Sequence, residues 1–310
     1  MLRPLIVLLA AFLTSCTGEN NRPPNIVLLV VDTLRADHLS GYGYGRDTSP
    51  FLDSLIERGA AFEAVAASSW SPASHSSIMT GTYGFRHRVE DWGHRIHADL
   101  PLLPAMLQEA GYATGAFATH INLLGTAEPI HYKGRLVDPV PASVGRIDEG
   151  LEIKKVLPPG SEDQVLALGA AWAAAQDRPW FMWSVLFTVH APYDKYPPEW
   201  NDTLFTDMPE GGERRHPFKK SRFDGTGGIP ASVRLGDADS QGYYINRYDR
   251  SIRAVDDQIR RFWEALEASG AADNTVLVIT SDHGEGLGDH GNFAHEIELF
   301  LADRAGGDEV

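Results

Sequence analysis

The chain has 310 residues, of which 43% are hydrophobic and one is a cysteine. That is enough apolar material for one layered α/β core and too much for a disordered chain, and a lone cysteine excludes an internal disulfide. A formal charge of −15 works against a nucleic-acid groove, so no nucleic-acid partner is expected.

Residues 1–15 read as an export signal. Met1-Leu2-Arg3 is a short positive start, and the apolar stretch over 5–13 falls short of the roughly 20 residues that a membrane-spanning helix needs. Leu13-Thr14-Ser15-Cys16 resembles a bacterial lipobox, which implies lipidation of Cys16; an ordinary secretory signal with an incidental cysteine is the alternative. Residues 16–24, polar and proline-bearing, read as a tether. The expectation is a protein of the bacterial cell envelope, held by its lipid and facing the periplasm, with the anchor as its only membrane contact. Thr17 is compatible with outer-membrane sorting.

The run IVLLVV (26–31) reads as a strand buried on both faces of a parallel sheet and stops at Asp32. Alone, Asp32 reads equally well as a helix cap or a turn residue. Residues 50–58 form an amphipathic helix after Ser49. Helical pattern returns over 105–110, ending at Gly111, and a strand follows over 112–118. A second helix covers 163–175. The apolar run 180–189 ends at His190. The strongest helix, 244–268, spaces Ile245, Tyr248, Ile252, Val255, Ile259, Phe262 and Leu266 by three or four. It leads into VLVIT (276–280), read as a second strand buried on both faces, and then Ser281-Asp282-His283. The segments 122–160 and 193–241, rich in Pro, Gly and charge, read as long loops over the rim. Helix preceding strand, repeated, gives an α/β fold with a mainly parallel central sheet in a three-layer sandwich. Ligands of such sheets bind beyond the carboxyl ends of the strands, where Asp32, His190 and Asp282-His283 all fall. Two acids and two imidazoles on one rim are the donors of a divalent-metal hydrolase.

Four ordered blocks, PNIVLLVVDTLRADHLSGYGY, TSPFLDSLIERGAAFEAVAASSWSPASHSSIMTGTY, VHAPY and DNTVLVITSDHGEGLGDHG, resemble the sulfatase family of the alkaline phosphatase superfamily. The resemblance covers nearly the whole chain after the tether, with residues 25–300 as the catalytic domain and an alkaline-phosphatase-like fold. It implies a nucleophile at a helix amino end, one divalent cation and hydrolysis through a covalent intermediate. Counting back from Thr80-Gly81 places the nucleophile at Ser71; locally Ser71 also reads as a helix cap. The block Ser71-Pro72-Ala73-Ser74-His75 departs from the family's Cys/Ser-x-Pro-Ser-Arg, which formylglycine formation requires, so an unmodified serine is expected.

By position in these motifs, the resemblance assigns Asp32, Ser71, Asp282 and His283 to the metal, which is Ca, Mn, Mg or Zn. His75 replaces the family's arginine as a catalytic candidate that would polarise the ester or assist breakdown of the covalent intermediate, and His190 is the candidate acid for the leaving group. His295 stands where many members place a lysine, and Thr119 and His120 lie near the other lysine position; all three are expected at the substrate. The implied substrate is a sulfated or phosphorylated small molecule or saccharide. Sulfate ester hydrolysis on Ser71 leads, with phosphodiester or phosphonate monoester hydrolysis as the alternative. Family members continue past Glu296, Leu299 and Phe300 into a small carboxyl-terminal subdomain, whereas residues 301–310 are polar and glycine-rich, an irregular tail. The expectation there is a missing subdomain, which leaves an inactive truncated product as the third reading.

Overall fold

A computed structural model describes residues 22–126, 128–132 and 135–295. The export signal, Cys16, most of the tether, Glu296, Leu299, Phe300 and the tail 301–310 lie outside the described residues. Five strands form the main sheet in the order β5-β2-β6-β1-β7, every pair parallel. They are β1 (Asn25–Val31), β2 (Ala113–Ala118), β5 (Ile153–Val156), β6 (Trp180–Leu186) and β7 (Thr275–Ser281). A small antiparallel pair, β3 (Ile130–Tyr132) and β4 (Arg135–Val137), lies apart. The helices are α1 (Pro50–Arg58), α2 (Ser71–Thr80), α3 (Gly84–His87), α4 (Leu103–Glu109), α5 (Ile121–Leu124), α6 (Glu162–Ala174), α7 (Trp200–Thr203) and α8 (Gln241–Ser269). Among the described residues no helix is long and apolar enough to cross a membrane.

Strand parity sorts the core into two layers. Val27, Leu29 and Val31 of β1 join Phe117, Met182 and Leu186 beneath α6 and α8, while Leu28 and Val30 turn the other way, to Ala116, Phe181, Trp183 and Met79 of α2. A central parallel strand covered on both sides has no polar face, which is why β1 and β6 read as unbroken apolar runs. The periodic residues of α8, from Ile245 to Leu266, are all buried.

Three expectations change. The run ending at His190 leaves the sheet at Leu186, so 187–190 is loop. β7 is the outer strand of the described sheet and not buried on both faces: Leu277 and Ile279 pack on the core, but Val276 is 48% exposed and Val278 41%. Valine on the exposed face, opposite Leu277 and Ile279 on the core face, concealed the alternation that would mark an edge. The expected loop 122–160 contains β3, β4 and the opposite edge strand β5, whose sequence IKKV is polar enough to pass for loop. Lys154 is held there by the Leu124 carbonyl and Asp148.

The start of α1 is capped from a distance. Ser49 makes no capping bond with its side chain; Asp256 of α8, buried, accepts from the backbone N–H groups of Phe51 (3.0 Å) and Leu52 (2.9 Å). Burial pushes its carboxyl up to about 6 against the pull of those two bonds. Asp256→Ala should therefore lower the unfolding free energy by about 1–2 kcal/mol in urea titration, with Asp256→Asn, which keeps one acceptor oxygen, losing less.

Candidate metal and nucleophile site

The sheet order puts β6, β1 and β7 side by side, so residues beyond their ends converge. Asp32 leaves β1 with its N–H still bonded to Leu186 of β6 (3.0 Å). Thr33 then turns with a φ of 62°, and its carbonyl is held by the hydroxyl of Tyr248 (2.6 Å). Asp282 leaves β7, and one of its oxygens accepts from the N–H groups of Thr33 (3.2 Å) and His283 (2.9 Å). Helix α2 meets this rim head-on. Trp70 is its cap residue and Ser71 its first helical residue, so Ser71 does not act as the cap. Ser74 Oγ donates to the Asp282 carbonyl (2.5 Å), tying the first turn of α2 to the end of β7.

Ser71 Oγ lies 3.0 Å from His283 Nε2. The other ring nitrogen of His283, Nδ1, is 2.9 Å from the Gly284 carbonyl and must carry the proton there, which leaves a lone pair on Nε2. Serine is then the donor. Nε2 also faces Asp282 Oδ2 at 3.3 Å, lone pair against lone pair. Such an arrangement is repulsive without a cation or a proton between the two atoms.

The donor set fits a divalent cation. Ligand atoms of Asp32, Asp282 and His283, all buried, lie within 4.8 Å of one another. Both carboxylate oxygens of Asp32 and Asp282 Oδ2 are buried without a hydrogen-bond partner among the described residues. Buried carboxylates are ordinarily paired or metal-bound. Burial, then the charges of Asp282 and Glu285, push the Asp32 carboxyl well above its ordinary range. Burial acts on Asp282 in the same sense but is outweighed by His283 and His75 and by the Thr33 N–H, so its carboxyl is lowered. If these residues bind a cation, adding Mn²⁺ or Zn²⁺ at a hundredfold excess over its dissociation constant should stabilise the fold by about 2.7 kcal/mol, reversed by chelator in a melting experiment.

The other expected residues ring this centre. His75 is fully buried, its Nε2 3.4 Å from Asp282 Oδ2 and its ring beside Trp183. His120 accepts from the Leu123 N–H through Nδ1 (3.2 Å), and its Nε2 lies 3.4 Å from Asp32 Oδ2 without the alignment of a hydrogen bond; burial lowers its pKa to about 3. Thr119 faces the scaffold instead: its hydroxyl donates to buried Glu162 (3.0 Å) and accepts from the Phe187 N–H (3.2 Å). His190 stacks on Phe187, with ring centres 4.0 Å apart, and its Nδ1 lies 2.9 Å from the Ala191 carbonyl. Burial, then the neighbouring His295, pull its pKa well down. His295 joins the two groups, 4.4 Å from the His283 ring, 5.0 Å from the His190 ring and 3.4 Å from Glu285. It also borders a cavity of about 540 Å³ whose walls include Arg35, Ser69, Thr226 and Glu285.

Lys195 also faces this rim, and motif reading passes over it. It comes from the irregular stretch after His190, and its only advance signal is a place five residues beyond that histidine.

Comparison with known proteins gives the family. The family model "Sulfatase" matches residues 24–306. An N-acetylglucosamine-6-O-sulfatase of Bacteroides thetaiotaomicron is 23% identical, over 93% of this chain and 63% of its own length. The human iduronate 2-sulfatase is 26% identical, over 87% of this chain and 56% of its own length. The chain thus spans less than two thirds of either relative. Among solved structures, the phosphonate monoester hydrolase of Agrobacterium radiobacter superposes with a TM-score of 0.66 at 20% identity, covering 87% of this chain and 64% of that one. A rim built from the ends of β1 and β7, a serine at the head of α2 and a match over residues 24–306 lead to one conclusion: the chain belongs to the sulfatase family.

Proposed function

We propose that the protein hydrolyses sulfate esters through a covalent intermediate on Ser71, with a divalent cation held by Asp32, Asp282, His283 and the serine oxygen. The observation that carries this reading is Ser71 Oγ at 3.0 Å from His283, beside two buried carboxylates with unpartnered oxygens. A bound divalent cation would lower the pKa of the serine hydroxyl and offset the charge of the ester.

The remaining work falls to the chain. Helix α2 aims its first N–H groups at the reacting centre, where its dipole favours anionic charge. Ser71 Oγ attacks sulfur, the ester oxygen leaves as the alcohol, and water then releases sulfate from the serine. His190 Nε2 is the atom placed to hold the proton for the leaving oxygen. Because burial disfavours the charged ring, that proton must arrive with the substrate's own negative charge. Sulfated saccharides are the substrate class that the named relatives suggest. Attachment to the periplasmic side of an envelope membrane through Cys16 belongs to the same reading.

One observation favours phosphodiesters or phosphonate monoesters as the second reading: Ala73 and His75 break the pattern used for formylglycine formation, which leaves a plain serine. Nitrophenyl sulfate, nitrophenyl phosphate, bis-nitrophenyl phosphate and nitrophenyl phenylphosphonate, assayed side by side with Mn²⁺, Ca²⁺ or Zn²⁺, decide between them. Turnover of the sulfate that vanishes with chelator supports the first reading, and preference for the diester or phosphonate supports the second. Equal negligible rates for wild type and Ser71→Ala on all four esters would overturn both.

A further inference from the structure

The family's fixed cations are missing from this site. Histidine stands at 75, where an arginine is usual, and at 295, where a lysine is usual, and the pair Thr119-His120 occupies the region of the second lysine. A histidine carries positive charge only when protonated, so these positions give no permanent charge to a bound anion.

Lys195 restores one. Its Nζ donates to the His190 carbonyl (2.9 Å) and lies 5.1 Å over the Phe187 ring, the ring that stacks on His190 and meets His120 edge-on. Its charge acts on Asp32 and His190 from a distance. Lys154, Lys155 and Lys219 are each committed to a carboxylate, and Arg35 at the neighbouring cavity is held by Asp37 and Asp289. Lys195 forms no ion pair with a described carboxylate. Glu162, Asp194 and Asp32 act on it from a distance, and burial works against its charge. An ammonium group has three donors, and the His190 carbonyl takes one. A partly buried cation with one neutral partner and two donors to spare is suited to an anionic ligand.

We propose that Lys195 is the anion-recognition cation of this site, binding the negatively charged sulfuryl or phosphoryl oxygens of the ester beside Ser71. The proposal rests on the reading of the site as an ester hydrolase. It replaces a charge lost from three motif positions with one delivered by the loop after His190, and so makes the pocket more cationic than its motif residues imply.

The test is direct binding of sulfate and of orthovanadate to the metal-loaded protein by calorimetry, for wild type, Lys195→Gln and Lys195→Arg, with melting temperatures and ester turnover measured alongside. Loss of one charge-assisted contact should weaken both ions by about tenfold in Lys195→Gln, with KM raised more than kcat is lowered and most of the loss recovered in Lys195→Arg. A purely structural role at the His190 carbonyl would move the melting temperature and leave anion affinity within twofold; that result, with esters still turned over by wild type, overturns the proposal and leaves the hydrolase reading standing. Anion binding that depends on Lys195 in a protein that turns over no ester upholds the proposal and removes the hydrolase reading. Absence of sulfate and vanadate binding in wild type overturns both.

Discussion

Ser71→Ala is expected to lower kcat on the preferred ester by roughly a thousandfold or more, with KM little changed. The alanine keeps the helical start of α2, which relies on Trp70 as cap residue and on Pro72, so the fold should melt within a few degrees of wild type. On the proposed mechanism, removing the hydroxyl deletes the attacking atom and one of four donors to the cation, while both carboxylates and the imidazole remain. Metal content after dialysis should therefore stay near one ion per chain as activity disappears. Equal loss of metal and activity would mean that Ser71 serves chiefly as a ligand, and full activity in the variant would end the covalent mechanism.

Asp32→Asn should have opposite effects with and without metal. In the metal-free protein the Asp32 carboxyl is buried, has no hydrogen-bond partner and is repelled by Asp282 and Glu285, so a neutral amide relieves it and should raise stability by about 1–3 kcal/mol at neutral pH. With Mn²⁺ or Zn²⁺ present the order reverses, because wild type gains binding energy that the variant has largely lost. The pH dependence follows from the sign of the shift. Folding raises the Asp32 pKa above its unfolded value, so its contribution to metal-free stability is complete below pH 4, near the unfolded carboxyl pKa, and is lost as pH climbs through the folded value. Asp282, lowered, runs the other way and loses its contribution as pH falls below that same region. Melting temperatures from about pH 2 to 8, for wild type and Asp32→Asn with and without metal, check both statements; a metal-free variant less stable than wild type at neutral pH would refute the assignment.

Asp32 was legible because it directly follows the apolar run of β1, a parallel strand buried on both faces that leaves nowhere for a carboxylate but its end, whereas Asp282 and His283 stand just past β7, an outer strand whose apolar run gave the same signal although one of its faces is exposed. Ser71 needed the motif as well, since a serine before Pro72 has an ordinary reading as a cap; only Trp70 in that position and the contact with His283 separate the two. Other features had no local signal. The cap of α1 comes from Asp256, some two hundred residues away, and Lys195 reaches the rim only because the chain turns at Tyr193, with a φ of 57°, and brings its ammonium back to the His190 carbonyl. Thr119 was expected at substrate because it lies near the family's second lysine position, but burial of Glu162 demands a donor, and the threonine hydroxyl supplies it.

The place of β1 in the sheet sets the order of events when the chain folds. It is the first of the described strands in chain order, yet Ile26 pairs with Phe181 on one side and Val31 with Ser281 on the other. Contacts of such long range close large loops before they return any stability, so folding of this sheet should be slow and late. Asp32 can meet Asp282 only when β7 has docked, and until then the two carboxylates belong to separate floppy loops that could hold a cation only weakly. Tight capture of a cation at this pair would thus be the same kinetic step as the docking of β7 on β1, and the appearance of one would time the other.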